Sequence, residues 1–163
     1  MTEALIKPGG EEKFGIYRNW FERHVPLMTE LFSPHGDLFI LSIPARTLLA
    51  ECRQPGMYLY VMALPSTGFH VPLHVGKSQS PSSRWSTGHV AGLNKNGMGS
   101  YAGWRRALAG RGAETLLYVL HESEIVEPPL RGFPRTVGAV EYQLIALATD
   151  FSALLLNSEG VAR

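Results

Sequence analysis

Gly56, Met57 and Tyr58 open a run in which apolar and aromatic residues dominate as far as Leu64, and a second such run spans Val71 to Gly76. Between them Pro65, Ser66, Thr67 and Gly68 break the pattern. Two β-prone runs divided by turn residues predict an antiparallel hairpin, here with a connection longer than the two-residue minimum. Lys77, Ser78, Gln79, Ser80 and Pro81 follow at once. Proline fits the first turn of a helix, where its missing N–H has no partner to lose, so the Ser-Pro step marks a helix start and puts Arg84 in the opening turn. The rest of the chain is organised around this hairpin, as a mainly antiparallel sheet with helices packed on it.

A length of 163 residues suits one domain with a proper core, and 45% apolar with 18% charged residues suits a soluble globular protein. No apolar stretch approaches the roughly 20 residues that span a bilayer, and Met1 to Gly10 lacks the basic and apolar regions of a secretory signal. The single cysteine, Cys52, excludes an internal disulfide and a thiolate-rich zinc site, fits a reducing, cytoplasmic setting and reads as a small apolar filler. The net charge of +1 conceals an uneven distribution. Between Cys52 and Ala113 there is no Asp or Glu, while Arg53, Lys77, Arg84, Lys95, Arg105, Arg106 and Arg111 are all basic. Such a segment either faces a polyanion or is neutralised by flanking acids that the fold returns to it.

Around the hairpin the periodicities are mixed. Phe14, Tyr17, Trp20 and Phe21, then Leu27 and Leu31, recur at helical spacing, and Pro26 divides them into two helices. Asp37 to Ile43 reads as a short strand, and Pro44 opens a brief helix that ends near Gln54. The stretch from Gly92 to Gly99 reads as a flexible loop with Lys95 at its tip. Ser100 is placed to cap a helix through Ala109 that projects Arg105 and Arg106, and Glu114 to His121 supplies a third strand. In the last long helix, Val137 to Phe151, Val137, Val140, Leu144 and Phe151 form a buried stripe, and Glu141 lies on or beside it. A carboxylate there needs a partner, either an arginine in a structural salt bridge or a divalent metal in a cleft.

Gly56, Met57, Tyr58 and then His74, Val75, Gly76, with Arg84 eight residues past Gly76, Glu141 in the late helix and Asn157 beyond it, form an ordered set. The set resembles the GIY-YIG endonucleases, with histidine in place of the second motif's tyrosine, over roughly residues 56 to 157. The resemblance implies a small antiparallel three-stranded sheet flanked by helices, an α+β core over 56–163 to which residues 1–55 add an N-terminal helical extension in the same domain. It also implies hydrolysis of DNA, in preference to RNA, with Mg or a similar divalent cation such as Mn held by Glu141.

In that reading Tyr58 activates the attacking water and Arg84 binds the phosphate with its planar fork. Lys77 supplies the positive charge that a phenol needs to act as a base. His74 either relays a proton or is a strand histidine that only hydrogen-bonds, and His89 contacts the scissile phosphate, completes the relay or lies at the surface. Tyr60 shares a strand face with Tyr58 and is either a second active-site hydroxyl or a core aromatic. Asn157 is either a turn residue or a hydrogen-bonding buttress. Lys95, Arg105 and Arg106 are candidate nucleic-acid contacts. A restriction-like enzyme that cuts both strands of a symmetric site would be a homodimer. The alternative is a binding module that keeps the fold and the basic face without cleavage.

Overall fold

The computed structural model describes residues 5–24, 26–34, 36–66, 68–95, 99 and 101–157. Helix α1 (Glu11–His24) buries Tyr17, Trp20 and Phe21 and carries Glu11 and Glu12 in its first turn, where the helix dipole favours acids. The second helix expected after Pro26 does not form. Leu27–Glu30 is a strand, β1, paired antiparallel with Leu116–Val119. A helix of one or two turns repays little of its nucleation cost, whereas the open edge of a neighbouring strand supplies backbone partners directly. The strand expected over 37–43 shrinks to β3 (Ile40–Leu41), which pairs with β2 (Phe32–Ser33). Ser42 then takes the chain into α2 (Ile43–Ala50): its hydroxyl accepts from the Ala45 N–H at 3.0 Å and donates to the Glu30 carbonyl at 2.7 Å.

The predicted hairpin is present as β4 (Tyr58–Ser66) and β5 (Phe69–Ser78). Its strands run further than the turn residues suggested, with Ser66 opposite Phe69, so two positions remain between them. With β6 (Leu116–His121) and β1 they form an antiparallel sheet in the order β1-β6-β4-β5, four strands where three were expected. The added strand comes from the N-terminal region.

Strand β4 is covered on both faces, which explains why its sequence is an unbroken apolar run. Leu59, Val61 and Ala63 join a core with Tyr17, Trp20 and Phe21 of α1 and with the stripe of the last helix, α6 (Val137–Phe151). Tyr58, Tyr60 and Met62 face a second core with Leu48 and Leu49 of α2 and with Trp85, Trp104 and Leu108. Trp104 and Leu108 belong to α5 (Tyr101–Leu108). Trp85 belongs to a helical run that begins at Pro81 as expected. This run comprises α3 (Pro81–Ser83), a π-helical segment (Arg84–Val90) and α4 (Ala91–Leu93). Of the predicted loop, positions 96–98 lie outside the described residues, as does the predicted cap Ser100.

Candidate active site

Strand β5 is an outer strand of the sheet, and a cleft of about 430 Å3 straddles the edge that pairs with no other strand of the sheet. His74 and Gly76 share the face of Tyr60, while Val75 and Lys77 point to the side where α6 packs. The cleft therefore draws its walls from both faces of the sheet. His74, Lys77, Arg84, His89, Glu141 and Asn157, all candidates from the sequence, line it together with Tyr60 and Tyr101. A larger depression, about 690 Å3, lies on α2 around Arg46, Glu51 and Arg53, but it brings together none of these groups.

Tyr58 does not reach the cleft. Its hydroxyl accepts from the Gln54 N–H at 3.0 Å and its ring meets His121 edge-on at 4.7 Å. One strand repeat further on, Tyr60 takes the place assigned to it. Tyr58 stands opposite Ser78, beyond the end of the cleft, whereas Tyr60 stands opposite Gly76. The glycine is required there: a Cβ would lie 2.5 Å from both Cζ and the hydroxyl oxygen of Tyr60. Sequence reading had the correct strand face but could not locate the cleft along it.

The π-helical segment contributes Arg84 and His89. Its i→i+5 hydrogen-bond pattern stacks residues five apart, so these two project together from one helical face; such segments recur at functional sites. His89 Nε2 is 2.8 Å from the Tyr60 hydroxyl and Nδ1 is 2.9 Å from that of Tyr101. Its ring stacks on Trp104 at 4.8 Å, with Trp85 edge-on at 4.6 Å. Burial, helped by Arg84, pushes its pKa down to about 4, so the ring is neutral. His74 is pushed down to about 3, by burial first and then by His89 and Arg84, and its enclosed Nδ1 has no hydrogen-bond partner among the described residues. Burial raises the Tyr60 phenol well above its ordinary value, and the charge of Arg84 opposes this. The cation acting on the phenol is thus Arg84, where Lys77 was expected.

Lys77 instead faces Glu141, with Nζ 3.9 Å from Oε1; their side chains are 42% and 16% exposed. One partner of the carboxylate is thus a lysine, where an arginine was foreseen for a structural salt bridge. Asn157 is a buttress: Oδ1 accepts from the Val75 N–H at 2.8 Å and Nδ2 donates to the Val75 carbonyl at 2.7 Å. It completes the hydrogen bonding of the outer strand beside Gly76. Among the described residues no group of three or more His, Cys, Asp or Glu could hold a metal. A single carboxylate at an open cleft still fits a magnesium ion, which keeps several waters and takes substrate phosphate oxygens as further ligands.

Of the other candidate contacts, Lys95 and Arg106 are exposed. Arg105 is committed to the fold, donating to the Leu93 carbonyl and lying over the Phe39 ring. Tyr101 and Tyr142 were missed: Tyr101 reads in sequence as one more apolar position of α5, and Tyr142 as a surface residue. Tyr142 is 67% exposed at the cleft wall next to Glu141.

The fold and site define an α+β protein with a cationic, tyrosine- and histidine-lined cleft at a sheet edge, and no described helix is long and apolar enough to cross a membrane. Comparison with family models, curated proteins and solved structures returns no match.

Proposed function

We propose that the protein is a magnesium-dependent endonuclease of GIY-YIG type that hydrolyses phosphodiester bonds of DNA. What supports this reading most is that a guanidinium, a phenol–imidazole pair and a carboxylate, from segments far apart in the chain, meet in one cleft. Arg84 grips the non-bridging oxygens of the scissile phosphate with its planar fork, and Lys77 adds charge from the other side of β5. The attacking water gives its proton to the Tyr60 oxygen as Tyr60 passes its own to His89 Nε2. A neutral phenol with an imidazole behind it suits such a relay better than a phenolate base, since burial opposes ionisation of Tyr60. Glu141 would hold the divalent ion, which when bound neutralises phosphate charge and stabilises the departing 3′ oxygen. The products are a 5′ phosphate and a 3′ hydroxyl. A homodimeric, restriction-like enzyme of the cytoplasm accords with a compact chain that cuts both strands.

Nicking of supercoiled plasmid by purified protein with magnesium tests the proposal. Wild type should nick, and Glu141→Ala should bind DNA without nicking. A wild type that binds DNA in a salt-sensitive way and never nicks it would leave the binding-module reading. That reading draws on Lys77, whose ammonium already lies opposite the carboxylate.

A further inference from the structure

His89 is held between two phenols, and each phenol ring lies on a bare glycine. Tyr60 occupies the space that a Cβ on Gly76 would fill, and a Cβ on Gly92 would lie 2.3 Å from Cε2 of Tyr101. With Trp104 stacked on one side and Trp85 at its edge, the imidazole has little freedom to turn. Among the described residues, the polar groups around it include the two hydroxyls, Arg84, His74, whose ring centroid is 5.4 Å away, and the indoles of Trp85 and Trp104.

The direction of each hydrogen bond follows from the donor inventory. Arg84 shares the cleft with Tyr60 and has no lone pair to offer, so its positive charge draws the lone pairs of the phenol oxygen and turns the hydroxyl hydrogen away from it. The Tyr60 hydroxyl hydrogen is then directed at His89 Nε2, 2.8 Å away. A neutral imidazole that accepts at Nε2 carries its proton on Nδ1, and Nδ1 stands 2.9 Å from the Tyr101 oxygen.

We propose that Tyr101 is a positioning residue that accepts from Nδ1–H of His89 and thereby keeps Nε2 bare to receive the proton of Tyr60. Its role in cleavage rests on the nuclease reading; the tautomer itself does not. Without that acceptor the ring can place its proton on Nε2, where it opposes the Tyr60 hydroxyl and blocks the relay. Tyr101 touches neither water nor phosphate in this scheme and acts through His89.

Nitrogen-15 NMR of histidine-labelled protein at pH 7.5, without DNA, reads the tautomer directly. In wild type the Nδ1 of His89 should resonate as a protonated ring nitrogen and Nε2 as an unprotonated one. Tyr101→Phe keeps the ring on Gly92 and should shift His89 to a mixture of tautomers, while Gly92→Ala, which displaces the ring, should do the same by a different route. A protonated Nε2 in wild type, or an unchanged pattern in Tyr101→Phe, overturns the proposal. In plasmid nicking Tyr101→Phe should lower kcat about tenfold or more with KM little changed, a part of the 10²–10⁴ that proton transfer typically supplies. A shifted tautomer with unchanged kcat overturns the positioning role. A wild type that cuts no DNA ends the nuclease reading alone, because the tautomer is read without substrate.

Discussion

Replacing His70 with phenylalanine should flatten the acid limb of the protein's stability. His70 is buried in β5, with Nε2 2.7 Å from the Tyr17 hydroxyl and its ring packed among Phe69, Phe21 and Tyr118. Burial lowers its pKa from 6.5 to about 3. Below pH 6.5 the unfolded chain takes up a proton that the folded chain refuses, so stability is complete above that value and falls as pH drops toward 3. From pH 7.5 to pH 5 this one group costs about 2 kcal/mol, at ~1.4 kcal/mol for each of the roughly 1.5 units below the unfolded value. His70→Phe removes that term. It also strands the Tyr17 hydroxyl, at about 1–3 kcal/mol, but this cost does not vary with pH in the range. Urea unfolding of both proteins at pH 7.5 and pH 5 should show the variant less stable at the higher pH and the gap narrowing by about 2 kcal/mol at the lower. Two proteins that lose stability in parallel would refute the argument.

Other substitutions probe the cleft. Asn157→Ala leaves both backbone groups of Val75 unpaired and should cost about 2–4 kcal/mol in urea unfolding; a loss near zero would mean that water replaces the amide without penalty. Gly76→Ala drives a methyl into the Tyr60 ring, so it should destabilise by about 1–3 kcal/mol and abolish nicking, and a variant that nicks like wild type would show that the phenol is not needed where it lies. Arg84→Lys keeps the charge and loses the fork; nicking should fall at least ~10-fold while salt-sensitive DNA binding persists, and equal rates would remove the guanidinium's role.

The hairpin and α6 are legible in the sequence because both carry their signal locally, in alternating apolar residues bounded by turn formers and in a 3.6-residue stripe. Strand β1 is not. Leu27 and Met28 are exposed, and what makes the segment a strand is the unfilled edge of β6, nearly ninety residues away. The site shows the same division. Residue types and their order indicated His74, Arg84, His89, Glu141 and Asn157 as a group, since each stands out chemically from its surroundings. The choice of Tyr58 over Tyr60 failed because two tyrosines on one strand face differ only in what lies across from them, and Gly76 decides that. Tyr101 was beyond reach: its hydroxyl meets His89 across a connection whose path no local pattern describes.

Strands at the margin of a sheet expose a template on which another chain can grow, and most proteins blunt it with charge or proline. At β5 the template is already taken, because Asn157 fills both hydrogen-bonding positions of Val75, Leu156 donates its N–H to the Leu73 carbonyl, and the Ser152 hydroxyl bonds Pro72. The six residues from 152 to 157 thus guard this flank of the protein against strand-to-strand aggregation while they hold the floor beneath Gly76 and Tyr60. Cutting the chain after Phe151 would remove both safeguards in one step, so self-association and collapse of the cleft should arrive together.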